Sequence, residues 1–142
     1  MTKEISKLKN NIEYIYKQNK NTPRMALCLN FSINEPEEKP GIYSLVSRLL
    51  LQGTKKYNSE ELANEFEKYA IDFSSDLFPN YLRLNFLCLN EDFSKAIELM
   101  NEVITNSTFD EIEKEKLKLK GEITAELDSP RAKAMDSYCK AM

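Results

Sequence analysis

The chain has 142 residues and no histidine. That absence removes the imidazole as a general base for Ser44, Ser47 or any other hydroxyl, and leaves no imidazole to ligate a metal. No lysine is placed to act convincingly as a base beside either serine, so serine nucleophile chemistry is not expected. No apolar run is long enough to span a membrane as a helix. The opening stretch, Met1-Thr-Lys-Glu-Ile-Ser-Lys-Leu-Lys9, has no apolar core and carries an acid. It therefore reads as neither a secretory signal nor a transit peptide, and the expected location is cytoplasmic. Only three cysteines occur, Cys28, Cys88 and Cys139, widely spaced and without a C-x-x-C pair. They predict buried thiols in a reducing compartment rather than a disulfide framework or a zinc site. The 20 Lys and Arg residues are spread along the chain without a basic block, and the net charge is −3. That balance argues against a nucleic-acid binder. There is no internal repeat and no low-complexity tract.

What is present is the composition of a packed domain, 42% hydrophobic and 30% charged. Residues 1–10 read as a polar lead-in and residues 11–142 as a single domain. Ile12, Tyr14 and Tyr16 alternate with Glu13, Ile15 and Lys17, and after the turn cluster Asn19-Lys-Asn-Thr-Pro23 Leu27, Leu29, Phe31 and Ile33 alternate with Ala26, Cys28, Asn30 and Ser32; the two predict strands joined as a hairpin. Asn34-Glu-Pro-Glu-Glu-Lys-Pro40 predicts a loop. Ile71, Phe73, Ser75 and Leu77, the turn Phe78-Pro79-Asn80, and then Leu82, Leu84, Phe86 and Cys88 predict two further strands. Asn58 or Ser59 is placed to cap a helix with Leu62, Phe66 and Tyr69 on its apolar face. Asn90-Glu91-Asp92 opens another helix, with Phe93, Ile97, Met100 and Ile104 as core positions. A last helix carries Ile112, Leu117, Leu119, Ile123 and Leu127, is interrupted at Asp128-Ser-Pro130, and resumes to the end. The aromatic set Tyr14, Tyr16, Phe31, Phe73 and Phe86 is assigned to the core. Met25, Met100, Met135 and Met142 have no metal-binding spacing. The order predicts an α+β fold in which an antiparallel-rich sheet is covered by helices.

The organising stretch is Pro40-Gly-Ile-Tyr-Ser-Leu-Val-Ser-Arg-Leu-Leu-Leu-Gln-Gly-Thr54. Pro40 and Gly41 open a helix and Gly53 is placed to close it. Ile42, Leu45, Val46, Leu49 and Leu50 form one stripe, while Ser44, Ser47, Arg48 and Leu51 share a second face.

This stretch resembles the catalytic helix of the insulinase, pitrilysin and mitochondrial-processing-peptidase family of zinc proteases. The family frame survives in Gly41-Ile42, in Leu49-Leu50-Leu51-Gln52-Gly53-Thr54 and in the following Lys-Lys and Glu60-Glu61-Leu62. The H-x-x-E-H residues inside the frame do not. Ser44 and Arg48 stand at the two histidine positions and Ser47 at the glutamate. Downstream, Phe109-Asp-Glu-Ile-Glu-Lys-Glu115 and Lys120-Gly-Glu-Ile123 resemble the segment that supplies the third ligand. The resemblance puts Glu122 at the orphan third-ligand position and Glu115, two helical turns earlier, at the supporting acid. It also places Ser74, Ser75, Asp76 and Leu77 at the edge strand that holds an extended peptide, in place of Asn-Ala-x-Thr. The backbone of such an edge can still take a peptide whatever its side chains. The bland alternative is that Asp76 and the serines keep an exposed edge soluble.

The resemblance implies a fold like the N-terminal part of a metalloprotease domain of the mitochondrial-processing-peptidase type. Family domains run longer, and Asp136-Ser-Tyr-Cys-Lys-Ala-Met142 stops in mid-helix, so a partial domain truncated at its C-terminus is expected. A zinc hydrolase needs three ligands and an open position for water. With a guanidinium at one ligand position, no catalytic residue and no metal are expected, although active family members use zinc. Arg48 is expected to pair with Glu122, with Glu115, or with both. The functional expectation is a catalytically inactive homologue of a zinc metalloendopeptidase. It would pair with another subunit of the family, or with the missing half of its own chain, to form a peptide-binding chamber, with no nucleic acid and no membrane involved. Two alternatives stay open: an active peptidase whose ligands lie in a missing region or partner chain, and a degenerate fragment without activity.

Overall fold

Alternation over residues 24–32 sends Met25, Leu27 and Leu29 to one side of a strand, and that side is the more buried one. The same two-residue period runs through 72–78 and 81–89, so the three segments can share a single apolar face. A computed structural model describes residues 5–34 and 41–141. Its elements are β1 (Ile5–Lys7), β2 (Glu13–Ile15), β3 (Arg24–Ser32), α1 (Ile42–Leu49), α2 (Ser59–Lys68), β4 (Asp72–Phe78), β5 (Tyr81–Leu89), α3 (Phe93–Asn106), α4 (Ile112–Asp128) and α5 (Pro130–Ala141). The architecture is α+β. The larger sheet is antiparallel with order β3-β5-β4, so β4 pairs on one side only within the described residues. Most of the acidic loop expected over 34–40, with the helix-opening Pro40, lies outside those residues, as do 1–4 and Met142.

The register sets Leu27 against Phe86, Leu29 against Leu84, and Phe73 against Phe86 across the sheet. Helices α2 and α3 supply Leu62, Phe66, Ala96, Leu99 and Val103 to the same core. Leu99 and Val103 are fully inaccessible at 0% exposure, so each contributes roughly 1.5–3 kcal/mol by leaving water. Phe73 stacks on Phe86 with ring centroids 4.3 Å apart, which fixes the register of the β4–β5 hairpin.

Local signals account for where the helices start. Of the two candidate caps, Asn58 takes the role at α2. Its Oδ1 accepts from the Glu61 amide at 2.9 Å, and the Glu61 carboxylate accepts from the Asn58 amide at 3.0 Å. This reciprocal capping box is worth about 1 kcal/mol. Gly41 enters α1 with φ 90°, a conformation that disfavours any residue with a Cβ. The last residue of α1 is Leu49, and Gly53 falls in the turn beyond it. That turn acts as a fastener. Thr54 donates its amide to the Tyr57 carbonyl at 2.7 Å, Lys55 donates to Asn106 at 2.9 Å, and Thr108 donates to Gly53 at 3.3 Å. The end of α1 is thereby tied to the start of α2 and the end of α3.

Several sequence expectations are corrected. β2 pairs with β1 rather than with β3, because the Leu8–Ile12 turn closes locally through two backbone hydrogen bonds with Asn11 at φ 65°. β3 instead finds a nine-residue partner in β5. Tyr14, Tyr16 and Phe31 are exposed, leaving Phe73 and Phe86 as the core members of the aromatic set. The deepest stripe of α3 is Ala96, Leu99 and Val103, and Ile104 faces outward. Cys88 is buried, whereas Cys28 and Cys139 are exposed free thiols. Burial and the Asp92 charge push the Cys88 thiol pKa up. In α4, Leu117, Ile123 and Leu127 are exposed while Glu115 is buried, since α4 lies on α1 and α5 and away from the main core. No helix among the described residues is long and apolar enough to cross a membrane.

Candidate functional site

The second face of α1 splits between two neighbours. Ser47 turns toward β4 and is buried. Its hydroxyl donates to the Ser75 carbonyl at 3.2 Å and lies 2.8 Å from the Ser75 hydroxyl. One residue later, about 100° around the helix, Arg48 turns toward α4. Ser44 stays half-buried one turn before Arg48.

Arg48 and Glu122 form a fork. Nη1 donates to one carboxylate oxygen at 3.0 Å and Nη2 to the other at 2.5 Å. This is the bidentate geometry for which a planar guanidinium is suited and an ammonium is not. The hydrogen bonds to Glu122 raise the Arg48 pKa further above its ordinary value, partial desolvation opposes them, and the charges of Glu122 and Glu115 add to the rise. The same contact with Arg48 holds the Glu122 carboxyl below its usual range. The pair is accessible, with side-chain exposures of 35% and 57%, so solvent screens it.

Glu115 behaves differently from its partner two turns on. Only 4% exposed, it accepts a hydrogen bond from Lys118 Nζ at 2.5 Å. It does not bond Arg48 and acts on it through its field. Lys118 was not singled out in the sequence, although Glu-x-x-Lys spacing on one helix face is the pattern that could have found it. The α1–α4 junction thus carries two acids, Glu115 and Glu122, and two cations, Arg48 and Lys118.

This donor set does not fit a zinc ion. A guanidinium has no lone pair to offer and carries a permanent positive charge at the spot. Ser47 is already committed to Ser75. Among the described residues no three His, Cys, Asp or Glu side chains converge where a metal could sit.

The edge-strand residues come together on β4, which flanks α1. Ser75 faces the helix through Ser47. Ser74 and Asp76 alternate to the opposite face, where the Asp76 carboxylate accepts from Asn85 Nδ2 at 3.0 Å and from the Ser74 hydroxyl at 3.3 Å. Leu77 is exposed. The structure therefore brings Ser47 to Ser75 and Arg48 to Glu122, and leaves Asp76 on the far face of the sheet.

Residues 11–140 match the family described as Insulinase (Peptidase family M16). A curated protein named Probable zinc protease PqqL, from Haemophilus influenzae, is 30% identical over 114 residues, covering 72% of this chain. A solved crystal structure of a peptidase M16 inactive domain from Pseudomonas fluorescens superposes with a TM-score of 0.75 over 84% of this chain, at 18% identity. At that identity the likeness is one of fold. The chain spans 12% of the length of the first protein and 30% of the second.

Proposed function

The chain belongs to the insulinase family of peptidases, family M16, and we propose that within it this is a catalytically inactive member that helps to hold an extended peptide. Its partner in this reading is another subunit of the family or a further part of its own chain. The observation that carries the proposal is the Arg48–Glu122 fork. A cation fixed to the chain sits between α1 and α4, where hydrolysis by this family would need imidazoles, a water and a metal. Ser47, at the general-base position, is held by Ser75 and carries no carboxylate to polarise a water. The peptide role rests on β4, an edge strand beside α1 whose backbone can add a further strand. The proposal includes a cytoplasmic location, supported by the exposed free thiols of Cys28 and Cys139, which an oxidising compartment would put at risk.

Two measurements test it. Purified chain is assayed for bound zinc and for cleavage of unstructured peptides with and without a chelator. Neither stoichiometric zinc nor chelator-sensitive cleavage is expected, and finding both would overturn the inactive reading. Affinity capture from the source cell then asks whether a protein with an intact H-x-x-E-H motif co-purifies in fixed ratio. Its absence would favour a fragment without a partner role.

A further inference from the structure

We infer, resting on the reading of β4 as a peptide-docking edge, that the segment it takes is extended and basic, with two Lys or Arg residues four positions apart on one face. The sheet order leaves one side of β4 unpaired among the described residues. Alternation places Phe73 and Ser75 toward the helices and Asp72, Ser74, Asp76 and Phe78 on the opposite face. Asp72 and Asp76 thus point the same way, about 13 Å apart along the strand.

Neither carboxylate meets a cation among the described residues: no Lys or Arg nitrogen lies within ion-pair distance of either. Arg83 is directly opposite Asp76 in the β4–β5 register and would be its ordinary cross-strand partner. It is drawn away instead. Arg83 Nε donates to Asn30 at 3.0 Å, one terminal nitrogen donates to the Tyr81 hydroxyl at 3.3 Å, and the guanidinium lies 5.2 Å from the centre of each of the Phe78 and Tyr81 rings. Asn85 and Ser74 both donate to the same oxygen of Asp76, which orients the carboxylate and leaves its other oxygen free of both.

A strand added to β4 puts alternate side chains directly beside Asp72, Ser74, Asp76 and Phe78. Residues beside Asp72 and Asp76 are four apart in that strand and meet a negative charge at each position. Lysine or arginine there forms two cross-strand ion pairs, and the residue beside Phe78 is favoured when apolar. A second copy of this chain is a poorer occupant, because its β4 brings the same two acids. An acidic segment is excluded on the same ground.

The experiment measures anisotropy of short labelled extended peptides with the full chain at low salt. One peptide carries lysines at two positions four apart, a second carries glutamates there, and a third carries lysines three apart, which sends them to opposite faces. The lysine peptide with spacing four is expected to bind about tenfold more tightly than the glutamate peptide. The order is expected to invert on an Asp72→Lys/Asp76→Lys chain. Equal affinity for the first two overturns the basic-segment inference while leaving the edge reading intact. Equal affinity for the two lysine spacings also overturns it, since attraction would then come from net charge alone. Binding of none of the three overturns the edge reading itself.

Discussion

Arg48 and Glu122 are 74 residues apart in sequence, yet both guanidinium terminal nitrogens meet both carboxylate oxygens. The fork ties α1 to α4 across a junction that otherwise buries little apolar surface from α4. Its contribution depends on Glu122 being ionised. Because the folded-state pKa of Glu122 is depressed, that contribution is complete above the ordinary carboxylate range. It is lost as pH falls through the lowered folded value. Thermal unfolding of the parent chain should therefore lose stability below about pH 4.3 more steeply than Glu122→Gln does. At neutral pH the two should differ by a small margin that closes at about 1 M salt, where the screening length is about 3 Å. Identical pH profiles for the two chains would show that the fork contributes nothing.

The buried Glu115 gives a larger and asymmetric prediction. Lys118→Met leaves a carboxylate that is 4% exposed without its cation. The expected loss is about 1–3 kcal/mol, kept at the lower end because Lys118 itself is half exposed and solvent can reach the pair. Glu115→Gln should cost less, and the double variant should recover part of what Lys118→Met loses. Urea unfolding of the four chains reads this cycle, and strictly additive losses would contradict the pairing.

Gly53 has φ 139°, and a Cβ built there would lie 3.4 Å from the Tyr57 carbonyl oxygen. Gly53→Ala should destabilise by at least about 1 kcal/mol, because the backbone conformation is strained for any side chain. The turn positions the end of α1, so the variant should also perturb the Arg48 side-chain resonances, a change visible by NMR. An unchanged midpoint would mean that the turn relaxes freely.

Leu99 is fully enclosed between α3 and the sheet. Leu99→Ala should cost roughly 2–5 kcal/mol by removing apolar contact and leaving a cavity. The change is expected in the urea midpoint, with the slope little altered.

Much of the fold was legible because its signals are local. Residues 72–89 alternate with a Pro79-Asn80 turn between, and they form a hairpin. Asn58 and Glu61 have capping-box spacing, and they cap. The failures share a cause as well. Tyr14 and Tyr16 alternate like a buried strand, but alternation says only that two faces differ and not that anything covers one of them. Leu117, Ile123 and Leu127 have apolar side chains, yet the burial of α4 is decided by which helices it meets. Glu115 and Glu122 lie seven residues apart on one helix, yet the first is buried and the second exposed. Seven-residue spacing sets the direction around a helix and not what each position packs against along its length.

The amino-acid sequence by itself determined that no imidazole exists anywhere in the chain, that a guanidinium and two hydroxyls stand in the family frame on α1, and that the strands alternate. Those are properties of composition and short-range spacing, which survive any arrangement of the elements. Only the tertiary structure decided that Arg48 bonds Glu122 and not Glu115, that Ser47 turns to Ser75, and that Arg83 turns from Asp76 opposite it to Asn30. Such pairings hang on distances of about 3 Å between side chains on separate elements. The docking of α1 against β4 and α4 sets those distances, and no one-dimensional pattern encodes that docking.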